Sequence, residues 1–535
     1  MLIFLVKNRI VLCGFLNAFF FFLFFLFLKP LYSSGDDVFC LYFLSGGFGF
    51  APTEIVNYNH ALNPILTLPV KYLFVLAPNI NWYTLLLIIF HFIATTIIFV
   101  QITNQISYWK SVLAYIAIFC VVEGQFLINL SFSNTSIVLT WAALILGLTI
   151  IHEQAPIRKY ILCIAMFVFA SLFRIHTMFP FIVIIIPFFF LNKNIHFYRI
   201  FGLALITTTI VFSLNRWHQY YYERNIPGWI GKEQYQQSLY KYYNKEGLYN
   251  VNVQKWKIEA ELIKYSIHFD SNFLSLEKLN KMYVDLNAES TFSDSFFDFN
   301  SIKWLLINNR IYFFAFILFL IYVRNKRLQV VSLLSFVLLC GGIVFLLLNM
   351  KLPAYIIPGA VAVICFSIFL TNSNDWTGLS PLRKLVQTLL ILFLIFWGCV
   401  RLCKVSLDNE QKNNQFKNAF NEIAKHRSTL FLVQDFGFPF DYFSVFDVPS
   451  KYPLNNIVLA WQFPEEMGMK ILHLNGLKSI KDIPYSDKVL FWGKPVQALL
   501  DYFEITTGKK YCFSEPLKEF KYGEVRRLET CKLIK

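Results

Sequence analysis

Two adjacent carboxylates, Asp36 and Asp37, stand in the stretch SSGDDVFCLYFLSGGFGF (33–50), directly after an apolar run that begins at Ile10. Side by side at the end of such a run they have two chemical uses. One is a general base within hydrogen-bond reach of a hydroxyl; the other is a pair of oxygens for a metal ion. Taken alone, the pair reads equally well as solvated charge at a helix end. Other ionisable residues interrupt apolar stretches at the same level: Glu123 in FCVVEGQFLINL, Arg174 and His176 in SLFRIHTMFPF, and Lys351 in LLNMKLPAYIIPG. His60, in NYNHALNP, lies further along the loop that the Asp pair opens. An ionisable group inside a membrane helix costs roughly 2.5–3.5 kcal/mol on insertion scales, so it faces a partner or a watery cavity. Carboxylates and cations gathered at one membrane face suit a site that holds a phosphate-linked lipid and a polar acceptor. The plainer readings are headgroup snorkelling for Arg174 and Lys351, an interhelical hydrogen bond for Glu123, and a loop histidine at position 60.

The elements that must position these residues are membrane helices. Of the 535 residues 56% are hydrophobic and 19% aromatic, the mean hydropathy is +0.52, and only 15% are charged, against about a quarter in soluble domains. Apolar stretches of ~18 residues or more recur, long enough to cross a bilayer. The fold class expected is a polytopic α-helical membrane protein of about eleven spans, placed near 10–32, 83–103, 111–131, 135–152, 160–175, 178–192, 200–214, 304–323, 328–349, 354–371 and 385–403. The first run is too long for a secretory h-region and lacks a small-x-small cleavage site, so it reads as a retained helix. Lys7 and Arg9, Lys110, Arg158 and Lys159, Lys193 and Arg199, Arg324 with Lys326 and Arg327, and Arg383 with Lys384 fall on one side of this plan. The positive-inside rule makes that side cytoplasmic. The amino terminus is then inside and the carboxyl terminus outside.

Residues 1–403 form the membrane domain, with outer loops at about 33–82 and 215–303; residues 404–535 are soluble in composition and read as a mixed α/β domain. In the first loop, 63–77 carries few charges and suits a helix lying on the membrane surface. In the last region NNQFKNAFNEIAK (413–425) and KPVQALLDYFEIT (494–506) have helical spacing, while STLFLVQDF (428–436) and DKVLFWG (487–493) read as buried strands. Of ten cysteines, Cys512 and Cys531 are placed outside, where a disulfide between them is open to an oxidising compartment. The net charge of +15 is accounted for by the inside loops and Lys-rich outer surface. No basic-aromatic motif suggests nucleic acid.

The first span, the acidic pair outside it, the aromatic loop with its surface helix, the span count and the outer C-terminal domain together resemble the GT-C integral-membrane glycosyltransferases. GDDVFCLYFLSGGFGFAPTEIVNYNHALNPIL, PNINWYTLLL, INLSFSNTSIVLTWAALILGL, ASLFRIHTMFPFIVIIIP and KLPAYIIPG resemble a bacterial group of GT-C-like membrane proteins. The resemblance implies a bacterial inner-membrane enzyme, inverting and independent of metal or other cofactor. It would move a sugar from a polyprenyl-phosphate donor to a glycan, lipid or protein acceptor on the extracytoplasmic face. It implies that Asp36 or Asp37 activates the acceptor, Asp36 being favoured, and that Arg174 and Lys351 hold the donor phosphate, with His176, Glu123 and His60 as further substrate contacts. Rival readings are a polysaccharide polymerase or ligase acting through the 215–303 loop, a transporter or flippase of lipid-linked sugars, and a membrane scaffold.

Overall fold

The Phe-rich opening run forms α1 (Arg9–Phe27), after which the chain extends into a two-residue strand, β1 (Leu31–Tyr32). The computed structural model describes residues 9–531 apart from 57–60, 153–154, 192–196, 245–253, 266, 268–269, 290–298, 324, 350–355, 372–380, 435–436, 460–464 and 521–522. Two short helices follow, α2 (Gly35–Ser45) and α3 (Pro64–Leu76). Then come α4 (Trp82–Gln105) and a helix that runs as α5 (Tyr108–Ile118), a π-helical turn at Phe119–Glu123, and α6 (Gly124–Ile128). β2 (Asn129–Leu130) pairs in parallel with β1, and leads into α7 (Phe132–His152), which is buried along its apolar window because other helices surround it. α8 (Ile157–Arg174) and α9 (Met178–Phe189) pack on α7, separated by a 3-10 turn at Ile175–Thr177.

Among the described residues seven stretches are helical, long and apolar enough to cross a bilayer. The protein is a multi-pass membrane protein. The expected count of about eleven is not reproduced: the pair expected at 160–175 and 178–192 forms one apolar stretch, Ile157–Phe189, broken at the 3-10 turn. Helices α10 (Phe197–Asn225), α14 (Phe299–Tyr322) and α16 (Ile356–Thr371) stand where other spans were expected, without meeting both criteria. Between them lie α11 (Trp229–Asn244), α12 (Lys257–Lys264) and α13 (Leu276–Glu289) of the second outer loop, and α15 (Lys326–Asn349).

The last membrane helix does not stop at residue 403. It continues as α17 (Pro381–Lys425), 45 residues long, so the expected division between membrane and soluble parts falls inside a helix. Beyond it β3 (Leu430–Val433), β4 (Ile457–Leu459) and β5 (Val489–Gly493) pair in parallel, with α18 (Glu465–Leu474) on the crossover. Helix α19 (Gln497–Thr507) follows, then β6 (Tyr511–Phe513), β7 (Lys518–Phe520), β8 (Gly523–Arg526) and β9 (Leu528–Thr530). The five-stranded order is β4-β3-β5-β8-β7, with β8 antiparallel to β5, and β6 and β9 form a separate pair. β3 and β4 are buried along their whole length, as expected of strands covered on both faces. Cys512 and Cys531 are joined in a disulfide.

A strap between β3 and β4 ties this unit to the membrane part. Leu31 bridges Ser444, the Tyr42 hydroxyl donates to the Tyr452 carbonyl at 2.8 Å, and Asn81 Nδ2 donates to the carbonyls of Val445 and Asp447 at 3.0 and 2.9 Å. The glycines of SGGFGF explain how the strap comes so near. Gly46, at φ 74°, closes α2 with a left-handed residue that favours glycine, and a Cβ on Gly47 would lie 2.6 Å from Pro449 Cβ.

Candidate functional site

The Asp pair lies in the first turn of α2, not in the loop expected of it. Ser34, at the N-cap, has extended backbone, and its hydroxyl donates to Asp37 Oδ2 at 3.3 Å. Carboxylates in a first turn face the exposed amides and positive end of the helix, which is a local reason for the sequence S-G-D-D to start one here.

The two carboxylates have different surroundings. Asp37 is wholly buried. Its Oδ1 accepts hydrogen bonds from the Tyr83 hydroxyl at 2.8 Å and from the Phe132 amide at 2.9 Å. It thereby fastens α2 to the start of α4 and to the exposed N-terminal amides of α7. Burial pushes its carboxyl up to about 7, against the pull of those two donors, and the neighbouring charge of Asp36 adds to the rise. Asp36 is crowded by protein and still keeps an exposed surface. Enclosure raises its carboxyl, and the Arg174 guanidinium opposes the rise.

Arg174 reaches this place because α8 ends on it. Its Nη1 donates to Ser133 Oγ at 2.7 Å, and its guanidinium lies 5.6 Å from the centre of the Phe132 ring. Its backbone is pinned twice: Ser136 Oγ donates to its carbonyl at 3.0 Å, and it pairs with Ala61 of the first loop. Next to that bridge Leu62 sits at φ 55°, alone among the described non-glycine residues in having a positive φ. A strained residue of this kind persists only where its surroundings hold it; here the Leu62 and Asn63 amides donate to the Phe173 and Leu172 carbonyls at 2.9 and 2.8 Å. Asp36, Asp37, the α7 N-terminus and Arg174 are thus assembled from three separate parts of the chain.

The other expected residues are not all gathered there. His176 follows Arg174 on the exposed face of the 3-10 turn. Glu123 is fully buried in the π-helical turn, where its Oε1 shares a 2.8 Å hydrogen bond with His91 Nδ1 of α4. That is the interhelical bond of the plainer reading; with 0% exposure Glu123 offers no surface to a substrate in this conformation. His60 and Lys351 lie outside the described residues. Among the described residues no three His, Cys, Asp or Glu side chains converge as metal ligands would. The second outer loop packs on the C-terminal unit around a small hollow between Leu262, Phe273 and Tyr502. Its one carboxylate, Asp270, already accepts from the Tyr502 hydroxyl at 2.7 Å.

Sequence reading missed two partners. Tyr83 stands in NWYT at the start of a span and reads as an interfacial aromatic. Asp441 belongs to a one-turn 3-10 helix, Phe440–Tyr442, in the strap. Its carboxyl is raised to about 6 by burial and then by the charge of Asp36. Nothing local marks a residue brought to the site from some 400 positions away.

No protein-family model and no curated protein matches the chain. Among solved structures it aligns with the crystal structure of ArnT from Cupriavidus metallidurans bound to undecaprenyl phosphate, with a TM-score of 0.51 and 12% identity over 98% of this chain and 97% of that one. The fold is that of ArnT. The likeness spans the membrane helices and the C-terminal unit together, and it is a likeness of fold.

Proposed function

We propose that this protein is a membrane glycosyltransferase that moves a sugar from a polyprenyl-phosphate donor to a cell-envelope acceptor, with Asp36 as the general base. The observation that carries this reading is the division of labour in the acidic pair. Asp37 spends its oxygens on structure, whereas Asp36 keeps an exposed surface with Arg174 acting on it. That ArnT was crystallised with undecaprenyl phosphate supports a polyprenyl-phosphate ligand.

In the reaction the acceptor hydroxyl approaches Asp36, which takes its proton as the oxygen attacks the anomeric carbon. The bond from that carbon to the phosphate oxygen breaks, the configuration inverts, and the polyprenyl phosphate leaves toward Arg174. A guanidinium offers donors in a fixed fork matched to phosphate oxygens. None of the chain's described residues is needed as a metal ligand in this scheme. The site faces the outside of a bacterial inner membrane, a side supported by the Lys and Arg of alternate loops. The Cys512–Cys531 disulfide also suits an oxidising compartment.

The test is substitution. Asp36→Asn keeps the size of the side chain and removes the base; restored to a deletion strain, it should insert normally and leave the envelope glycan unmodified. Wild-type glycan in that strain would overturn the base assignment.

A further inference from the structure

Helices α14 and α17 meet through two guanidinium–ring contacts made in opposite directions. Arg310 of α14 lies 5.6 Å from the centre of the Trp397 ring of α17, and Arg401 of α17 lies 5.7 Å from the centre of the Tyr312 ring of α14. Arg401 Nη1 also donates to the Tyr312 hydroxyl at 3.3 Å, and that hydroxyl donates to the Val121 carbonyl at 3.2 Å. Val121 belongs to the π-helical turn, so three parts of the chain fix the place of Arg401. Arg310 is exposed and Arg401 half-buried; Lys404, one turn further along the same face of α17, is exposed.

This flank meets lipid. Little of the apolar stretch of α17 is covered by the rest of the chain, and Phe396 and Val400 beside the contacts are exposed. The end of α1 gives the depth. The Lys29 amide, just past that end, donates to Ser406 Oγ at 2.8 Å, so Ser406 marks the level at which α1 leaves the bilayer. The helical rise puts Arg401 about 8 Å closer to the membrane centre, inside the leaflet on the side of the C-terminal unit. Trp397, with Arg310 over it, is one turn deeper. Water is scarce at such depth, and a cation there needs a partner. Among the described residues neither Arg310, Arg401 nor Lys404 has a carboxylate partner, and Arg310 donates no hydrogen bond. A ring holds a guanidinium through its face and satisfies none of the in-plane N–H groups. The charge that answers them comes from the lipid.

We propose that Arg310 and Arg401 seat the phosphate of an anionic phospholipid, with Lys404 adding charge at the rim. The proposal goes beyond the glycosyltransferase reading and does not rest on it, for neither Asp36 nor Arg174 takes part. Two guanidiniums on adjoining helices present fork-like donors to phosphate oxygens. A headgroup bound between them would join α14 to α17, the helix that carries the C-terminal unit. Charge complementarity selects the occupant. An anionic headgroup meets three cations with its charge whole, whereas a zwitterionic one brings its own ammonium to the same place. The flank opens on the bilayer, so the occupant is a lipid of the surrounding leaflet rather than a soluble anion.

The experiment uses the full-length protein in detergent micelles with dioleoyl phosphatidylglycerol, dioleoyl phosphatidylcholine or undecaprenyl phosphate added. Bound lipid is read by native mass spectrometry and Tm by thermal unfolding. Wild type should retain phosphatidylglycerol over phosphatidylcholine and unfold several degrees higher with it. Arg310→Gln and Arg401→Gln should each weaken phosphatidylglycerol binding about tenfold or more, the size expected for a lost hydrogen bond to a charged group, and lose the gain in Tm. Their Tm in phosphatidylcholine should match wild type, which shows that the fold is intact. Arg310→Lys keeps the charge, so it should retain more of the preference than Arg310→Gln, and it carries the test where a glutamine variant does not fold. Arg327→Gln removes an exposed cation at the start of α15 and should leave the preference unchanged. Equal lipid preference in wild type and the glutamine variants overturns the proposal. So does an equal loss in Arg327→Gln, which would make the effect one of net charge. If undecaprenyl phosphate is retained and phosphatidylglycerol is not, the flank takes the polyprenyl lipid and the proposal falls. Glycan modification in the Asp36→Asn strain bears on the glycosyltransferase reading alone.

Discussion

Asp37→Asn should give a protein that still transfers sugar and is more stable than wild type above neutral pH. The substitution disturbs little geometry. An asparagine Oδ1 accepts from the Tyr83 hydroxyl and the Phe132 amide as the carboxylate does at 2.8 and 2.9 Å, and its amide nitrogen can donate to Ser34 Oγ, whose hydroxyl turns around. What the variant removes is a buried charge. The Asp37 carboxyl titrates at about 7 in the folded protein and near 4 in an unfolded chain. Because the folded value is raised, the native state binds more protons than the unfolded state between those two values. The carboxyl's contribution to stability is present below about pH 4 and is lost as pH rises through 7. A gap of about three units corresponds to roughly 4 kcal/mol above pH 7. The assay is thermal unfolding of wild type and variant in the same detergent from pH 4 to pH 8, alongside glycan modification in the deletion strain. The difference in Tm should be near zero at pH 4 and reach several degrees at pH 8 in favour of the variant. A difference that is flat with pH would mean that Asp37 ionises without cost, and the burial argument fails. A stable but inactive Asp37→Asn, beside an active Asp36→Asn, would reverse the roles assigned to the pair.

Three further outcomes follow from the geometry. Arg174→Gln keeps a donor for Ser133 and removes the cation, so undecaprenyl phosphate affinity should fall about tenfold or more, and isothermal calorimetry in nanodiscs that shows no change would return Arg174 to a structural role. Glu123→Ala leaves His91 buried without its partner and should destabilise the protein by about 3–5 kcal/mol; the loss should appear as a lower Tm, and Glu123→Gln should recover much of it. Orientation is checked by thiol labelling: in intact cells the Cys512–Cys531 pair should react with an impermeant maleimide only after an external reductant, and labelling only after lysis would put the C-terminal unit inside.

Hydropathy made the membrane class legible because burial in lipid demands long apolar runs, which composition cannot conceal. The C-terminal elements were legible for the same kind of reason: STLFLVQDF contains the fully buried β3, and KPVQALLDYFEIT covers α19 short of its last residue. The exact number of spans is not confirmed. A window over 160–192 sees two apolar runs with Arg174 and His176 between them, which two spans and one kinked pair produce alike, and the helix there is broken by a 3-10 turn. At α17 hydropathy marks only the apolar part of the helix. Hydropathy falls after residue 403, but the helix continues to Lys425 because NNQFKNAFNEIAK keeps helical spacing and buries Phe416 and Ile423.

The site shows the same limit more sharply. Asp36 and Arg174 were visible because a charge against an apolar background is a local signal. The difference between Asp36 and Asp37 was invisible, since it depends on which of two adjacent side chains meets Tyr83 and the Phe132 amide, residues 46 and 95 positions away. Asp441 was hidden for a further reason: in a soluble-looking segment an aspartate draws no attention, and only the edge-on packing of Phe440 against Phe39 brings its segment to the membrane part. α2 carries Asp36, and the strap that packs on it belongs to the C-terminal unit, whose β3 and β4 hold its two ends. A chain truncated within α17 would lose the strap, and with it the contacts of Phe440 with Phe39 and of Val445 with Asn81 that tie α2 and α4 to the C-terminal unit.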